Sequence, residues 1–174
     1  MESIQFMRQR DWRAGRKLAG PKRFWFGVLA WAVIATLGIH EAPRLIPAAS
    51  LGHGPVPFLF GMCLLVAGCA LRWWSFAALG NRFTFSVRTT PDQPIATTGP
   101  YRLVRHPGYT GGLMAVSGIG VVYANWVGLA SIAVPALLLI LWRIRIEEAA
   151  LAIAAGPAYT AYATNHKRLI PLIW

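Results

Sequence analysis

The chain has 174 residues, of which 56% are apolar and only 13% are charged, and its formal net charge is +11. Soluble domains carry roughly a quarter charged residues, so this deficit argues against an ordinary soluble protein and favours a membrane protein. The lysines and arginines flank apolar segments, as anionic headgroups require, so the chain is expected to bind membrane lipids and no nucleic acid.

The first 23 residues form a basic segment. They contain seven lysines and arginines together with the apolar residues Ile4, Phe6, Met7 and Trp12. This composition fits an interfacial helix lying on the bilayer, and it fits equally a basic tail that anionic lipid holds without regular structure. The apolar stretch that follows lacks a clean cleavage site, so a retained first helix is expected rather than a signal peptide.

Four apolar segments come next. They lie at about Phe24–His40, Val56–Leu79, Tyr109–Tyr123 and Val127–Trp142. A crossing needs about 20 apolar residues, so the second segment is long enough, the first is slightly short and the last two are short. The last two are interpreted as a tight hairpin, either across thinned lipid or partly buried against protein. The sequence therefore predicts one all-α integral membrane domain over residues 1–174, with about four transmembrane helices.

The distribution of positive charge predicts the orientation of this domain. The N-terminal segment and the loop 81–107 are basic, whereas the connections 41–54 and 124–126 carry one cation, Arg44. Because basic loops stay on the cytoplasmic side, both termini and the long loop are expected to be cytoplasmic.

Proline and glycine mark the ends of the elements near this loop. The loop 81–107 contains four prolines and cannot form one helix, and loops of this length are usually functional or disordered. The fourth apolar helix is expected to continue to about Ala155, where a Gly-Pro pair ends it and begins a short C-terminal helix. Tyr159 and Tyr162 would share one face of that short helix.

The end of the loop is the first candidate for chemistry. His106 precedes a proline, which disfavours helical backbone at His106, so its side chain is expected at the mouth of the third helix. Its neighbours Arg102 and Arg105 can face a carboxylate or a lipid phosphate. The alternative is a plain helix start with interfacial anchors.

The fourth helix carries the second candidate. Arg143 and Glu147 are four residues apart and Arg145 and Glu148 are three apart, so each pair can meet on one helix face. One interpretation is a pair of weak interfacial salt bridges. The other is that the carboxylates serve a cationic ligand, which the scarcity of acidic residues, six in the whole chain, favours.

Small residues are interpreted as packing residues. Five glycines thin the third helix: Gly108, Gly111, Gly112, Gly118 and Gly120. Gly108 and Gly112 form a small-xxx-small pair for close helix contact, with room for a lipid tail as the alternative. Cys63 and Cys69 lie six residues apart and point to different faces of one helix, so neither a disulfide nor a metal site is expected.

Taken in order, these motifs resemble the isoprenylcysteine carboxyl methyltransferases and phospholipid methyltransferases, a family of integral membrane methyltransferases. The matching pattern is Gly-Pro-Tyr ending at Tyr101, Arg-His-Pro-x-Tyr-x-Gly over Arg105–Gly111, Glu-Glu-x-x-Leu over Glu147–Leu151, Gly-x-x-Tyr-x-x-Tyr over 156–162 and Arg-Leu-Ile-Pro over 168–171. Each piece is weak alone, but the ordered set is specific and covers roughly Leu79–Pro171.

The resemblance implies a helical fold without a Rossmann sheet, with a cytoplasmic cofactor loop and a catalytic helical hairpin over residues 81–174. It implies S-adenosyl-L-methionine as cofactor and Arg143 and Glu147 as catalytic residues at the reacting centre. Cofactor contacts would come from Gln93, Pro94, Ile95, Ala96, Tyr101, His106, Pro107, Gly108, Tyr109 and Glu147. One departure is Ala155, where the family often has an aromatic residue, which leaves that part of the pocket wall undefined.

The sequence therefore predicts methyl transfer from S-adenosylmethionine to an amphipathic, lipid-like or prenylated acceptor, most directly carboxyl methylation of the isoprenylcysteine type. A phospholipid amine and a small thiol stay open as acceptors. The enzymatic rival is a nicotinamide-dependent membrane reductase of the steroid-reductase type. The non-enzymatic rival is a lipid-binding membrane protein, and the sequence leaves the oligomeric state open.

Overall fold

The computed structural model describes residues 21–52, 54–80 and 95–171, so the basic N-terminal segment up to residue 20 and the predicted cofactor residues Gln93 and Pro94 lie outside the described residues. Five α-helices are described: α1 Pro21–Leu45, α2 Pro55–Leu79, α3 Pro107–Val122, α4 Trp126–Ala155 and α5 Pro157–Asn165. Short 3₁₀ turns occur at Pro47–Ala49 and Gly99–Arg102. The described residues contain isolated bridges but no β-strand, which confirms the all-α prediction.

Three of the helices are long and apolar enough to cross a membrane: Phe24–Leu45, Pro55–Leu79 and Trp126–Ala155. The first therefore runs beyond its predicted end at His40. Helix α3 has 16 residues, or about 24 Å at the usual rise, which is shorter than the roughly 30 Å hydrocarbon core. The protein is thus a membrane protein, while the predicted fourth crossing by α3 stays a prediction.

Helix α3 is the centre of the bundle, because it packs against α2 on one side and α4 on the other, and α1 packs against α4. Glycines allow the backbones of α2 and α3 to touch. A Cβ on Gly61 would lie 2.8 Å from the Gly118 carbonyl oxygen, and one on Gly68 would lie 2.6 Å from that of Gly111. The backbones of these helices therefore touch at Gly111 and Gly118, two of the glycines predicted to pack. The predicted pair of Gly108 and Gly112 also faces α2, but there it meets side chains.

Asn125 joins the two connections at one end of the bundle. Its side chain is 2% exposed, and its Oδ1 accepts hydrogen bonds from the Val127 and Gly128 amides, capping α4. Its Nδ2 donates to the Ile46 carbonyl at 3.1 Å, and its backbone bridges Ser50. The α1–α2 and α3–α4 connections therefore lie at the same end of the bundle.

The polar segments meet at the opposite end. Val104 forms an isolated parallel bridge with Lys167, which joins the segment before α3 to the C-terminal segment. Gly156, with φ of 54°, turns the chain between α4 and α5, as the Gly-Pro pair predicted. Tyr159 and Tyr162 are both buried, which confirms that they share the inner face of α5.

Candidate functional site

The start of α3 presents the first side chains of the site. His106 is the N-cap residue, and its φ of −127° and ψ of 57° are non-helical, as the His-Pro pair predicted, although they are not those of extended backbone. Pro107 is the first helical residue. The His106 side chain is 4% exposed and its ring lies 5.7 Å from that of Tyr109. The first turn of α3 therefore directs two polar rings into the protein.

The C-terminal segment His166–Leu169 lies along this first turn. The Lys167 carbonyl accepts from the Arg105 amide at 2.7 Å, and the Arg168 carbonyl accepts from the His106 amide at 3.0 Å. The Leu169 carbonyl accepts from Thr110 Oγ1 at 2.8 Å. The segment therefore fixes the backbone that positions His106.

Glu148 binds basic side chains from the start of α3 and from the C-terminal segment. Arg105 Nη1 donates to Glu148 Oε1 at 2.6 Å, Arg168 Nε donates to Oε2 at 2.9 Å, and His106 Nε2 lies 3.4 Å from Oε1. The Glu148 side chain is only 12% exposed. The carboxylate is thus held from the loop and the C-terminal segment rather than by Arg145, the predicted partner three residues earlier on the same helix, because Arg145 is exposed.

Glu147 faces a different group. The Tyr109 hydroxyl donates to Glu147 Oε2 at 2.9 Å, and Arg143 interacts with the same tyrosine side chain. The Arg143 guanidinium carbon also lies 5.4 Å above the centre of the Phe24 ring, at the start of α1. The structure therefore brings together Arg143, Glu147 and Tyr109, three of the residues that the sequence predicted for the site.

Tyr101 lies near Glu147 and Tyr162. Its carbonyl accepts a hydrogen bond from the Tyr162 hydroxyl at 2.7 Å, which links the 3₁₀ turn to α5. Burial and, second, the negative charge of Glu147 raise the pKa of the Tyr101 hydroxyl well above its ordinary value. Tyr101 is therefore a neutral hydroxyl within electrostatic reach of Glu147.

Four of the remaining predicted cofactor residues lie within the described part of the chain: Ile95, Ala96, Pro107 and Gly108. Ile95 and Ala96 are half-buried and precede the 3₁₀ turn, and Pro107 is fully buried. The Gly108 carbonyl accepts from Arg72 Nη1 at 3.0 Å. The cofactor role predicted for each of these residues and for His106 stays a prediction.

Two contributors were not predicted from the sequence. Arg168 entered only as part of a motif, and its ion pair with Glu148 depends on how the chain folds back. Arg72 was given no role, although a single cation within an otherwise apolar helix is itself a signal of function. It contacts the first turn of α3 from α2.

The fold and the site define a helical membrane protein with a buried polar cluster at one end of an apolar hairpin. A sequence model of the family described as phospholipid methyltransferase matches residues 56–154, more than half of the chain. The chain belongs to this family of membrane methyltransferases, which confirms the resemblance stated from its motifs.

Similar proteins are known in plants. The chain is 31% identical over 120 residues to a probable protein-S-isoprenylcysteine O-methyltransferase of Oryza sativa subsp. japonica, which covers 65% of this chain and 60% of the relative. It is 28% identical over 116 residues to protein-S-isoprenylcysteine O-methyltransferase B of Arabidopsis thaliana, covering 66% and 59%. The chain thus spans about 60% of the length of these relatives.

A solved structure shares the fold. The eukaryotic intramembrane Ras methyltransferase ICMT (isoprenylcysteine carboxyl methyltransferase) superposes with a TM-score of 0.71 at 24% identity, over 89% of this chain and 54% of that one. The superposition covers more of the chain than the family model, which matches residues 56–154.

Proposed function

We propose that the protein transfers a methyl group from S-adenosylmethionine to the carboxylate of a lipid-like acceptor of the isoprenylcysteine type. The observation that carries the proposal is the contact between the Tyr109 hydroxyl and Glu147, with Arg143 beside them, at the polar end of an apolar hairpin. Membership of a methyltransferase family and similarity to plant isoprenylcysteine O-methyltransferases support it.

The donor set fits this cofactor. When bound, the cofactor supplies an electrophilic methyl group on a sulfonium, together with an ammonium and a carboxylate. Glu147 would balance the cationic groups, while one of its oxygens is held by Tyr109. Tyr101, Ile95, Ala96, Gln93 and Pro94 would hold the neutral part of the cofactor, and the start of α3 from His106 to Tyr109 would close around it.

Arg143 favours an acidic acceptor over the alternatives. A guanidinium can hold a carboxylate with two parallel hydrogen bonds, and a carboxylate nucleophile needs no general base. Positioning and exclusion of water then supply most of the rate enhancement. A phospholipid amine would first have to lose a proton to a base such as His106 or Glu147, a step that a carboxylate acceptor does not need.

The orientation is part of the same proposal. The polar end of the bundle, with the loop before α3 and the C-terminal segment, would face the cytoplasm, where the cofactor is made. The acceptor would reach it from the bilayer. Reporter fusions at the N-terminus, at Asp92 and at the C-terminus should all read cytoplasmic, and an outer signal at Asp92 would contradict this topology.

Methyl transfer can be measured directly. Purified protein is given S-adenosylmethionine with a labelled methyl group and one of three acceptors: an N-acylated S-farnesylcysteine, phosphatidylethanolamine or a small thiol. A carboxyl methyl ester releases labelled methanol in mild base, whereas N-methyl and S-methyl products do not. The farnesylcysteine amide, which lacks the carboxylate, is the matched control acceptor. We expect base-labile product from the carboxylate alone.

The roles of Arg143 and Glu147 are tested in the same assay. Arg143→Ala and Glu147→Ala should each lower kcat/KM by orders of magnitude, with little change in melting temperature. If the two residues serve only as interfacial charges, each change would cost at most about 1 kcal/mol of stability and leave turnover nearly intact. Acceptor-dependent oxidation of a reduced nicotinamide cofactor would support the reductase rival. Absence of any cofactor binding would support the lipid-binding rival.

A further inference from the structure

Arg72 is a cation in the C-terminal half of α2, within a helix that is long and apolar enough to cross the membrane. Charged side chains within such helices are costly and are usually kept for function. Arg72 is not needed to pack α2 on α3, because glycines bring those two backbones into contact. Its polar partner, however, lies in the first turn of α3.

The contacts of Arg72 are specific. Its Nη1 donates to the Gly108 carbonyl at 3.0 Å, and its guanidinium carbon lies 5.0 Å above the centre of the Phe76 ring. A Cβ on Gly111 would lie 2.8 Å from the Arg72 backbone nitrogen, so the helices touch at this level. The guanidinium of Arg72 therefore stacks on the Phe76 ring of its own helix and binds the Gly108 carbonyl of α3.

Gly112 makes room for this guanidinium. A Cβ built on Gly112 would lie 2.9 Å from Arg72 Nη1 and 3.9 Å from its Cζ, and both atoms found near that Cβ belong to Arg72. An alanine at this position would therefore displace the arginine head from the Gly108 carbonyl. It would disturb little else among the described residues.

Gly108 is the neighbour of Tyr109, whose hydroxyl donates to Glu147. The start of α3 is held on its other side by the C-terminal segment, through the Arg168 and Leu169 carbonyls. Arg72 holds the same turn from α2 through its hydrogen bond to the Gly108 carbonyl. We propose that Arg72 is a positioning residue: by fixing the Gly108 carbonyl it fixes the first turn of α3, and with it the Tyr109 hydroxyl against Glu147. The kinetic part of this inference rests on the proposed methyl transfer.

The experiment compares Arg72→Met, Gly112→Ala and the double variant, with Arg44→Met as the control. Arg44 lies at the other end of the bundle in an exposed ion pair with Glu41, so the same chemical change there should leave activity unchanged. Amide hydrogen exchange over residues 107–112 reports the positioning without any need for turnover. Steady-state kinetics report its consequence for catalysis.

We expect Arg72→Met and Gly112→Ala each to lower kcat and raise the KM for S-adenosylmethionine, with a combined loss of about 10- to 100-fold and an unchanged KM for the acceptor. The double variant should be no worse than Arg72→Met, because both changes remove the same hydrogen bond. Exchange over residues 107–112 should accelerate in all three. Alanine is the better helix former, so Gly112→Ala should not lower the melting temperature, which separates positioning from simple loss of stability.

The inference is overturned if Gly112→Ala leaves exchange and kinetics unchanged, if the two losses add, or if activity merely follows the melting temperature. Should Arg72→Met fail to fold, Gly112→Ala still carries the test with Arg72 present. Should the wild type transfer no methyl group, the proposed function fails, and the exchange rates alone decide the positioning role.

Discussion

Removal of the Glu148 carboxylate tests how the polar end of the bundle is held together. In Glu148→Ala the Arg105 and Arg168 guanidiniums lose their shared partner, and the Arg105 side chain is only 15% exposed. Breaking a buried ion pair by deleting one partner costs about 3–5 kcal/mol, because an uncompensated charge stays behind. Since the Arg168 side chain is 37% exposed and water screens it, we expect the lower end, about 3 kcal/mol.

That loss corresponds to a melting temperature lower by about 6–12 °C for a chain of this size. It can be measured by thermal unfolding in detergent micelles, followed by circular dichroism. Glu41→Ala is a matched control, because it deletes a carboxylate from an ion pair whose side chains are 74% and 46% exposed. An exposed pair contributes about 0–1 kcal/mol, so the control should melt close to the wild type.

The same measurement decides between two partners for Glu148. If the helix spacing set the pairing, Arg145→Ala would destabilise the protein and Arg105→Ala would not. The structure requires the reverse, because Arg105 reaches Glu148 at 2.6 Å and Arg145 is exposed. Equal and small losses for Glu148→Ala and Glu41→Ala would refute the reasoning, since they would mean that water reaches the Glu148 cluster freely.

Three further changes probe the site and its support. Tyr109→Phe removes a hydrogen bond to a carboxylate worth about 1.5–3 kcal/mol, so kcat/KM for methyl transfer should fall about 10- to 100-fold, and a rate near that of the wild type would contradict the role of the hydroxyl. Asn125→Ala deletes the α4 cap and the tie to Ile46, and it should cost about 2 kcal/mol in thermal unfolding, whereas Asn125→Asp keeps the cap and should lose less. Burial and nearby negative charge raise the pKa of Tyr159 to about 12, and burial and Tyr159 raise that of Tyr162 to about 12. Their stabilising effect is fully present below pH 10 and is lost as the pH rises towards 12, so unfolding should become easier there. The tyrosinate absorbance that disappears in the double variant Tyr159→Phe, Tyr162→Phe should be the part that rises late, towards pH 12, and loss of a part that rises at the ordinary pKa would contradict the burial.

The elements were predictable where the signal is local. The Gly-Pro pair ends α4 because Gly156 adopts a positive φ that stops the helix, and Pro157 suits the first position of the next one. Likewise the His-Pro pair keeps His106 out of the helix, so that α3 begins at Pro107. These features depend on a few neighbouring residues, so reading the chain in order is enough to find them.

The partners within the site were less predictable, because they join distant segments. Helix periodicity offers Glu148 a partner three residues away, yet its partner Arg105 is separated from it by 43 positions. The glycine contacts follow the same rule. Spacing predicted that Gly108 and Gly112 allow close helix contact, and both do face α2, but spacing does not show that Gly112 faces the head of Arg72. Only the packed arrangement of the helices shows which small residue faces which neighbour.

The adjacent carboxylates show why one sequence motif can hold two different roles. Successive residues on a helix point about 100° apart, so Glu147 and Glu148 cannot face the same neighbour. Glu147 faces α3 and receives the Tyr109 hydroxyl, whereas Glu148 faces the loop and the C-terminal segment and receives two guanidiniums. Glu148 already pairs with two guanidiniums through its two oxygens, whereas the Tyr109 hydroxyl that reaches Glu147 Oε2 is uncharged. The acid proposed to meet the cofactor is therefore the first of the pair, and the second ties Arg105, just before α3, to the C-terminal segment.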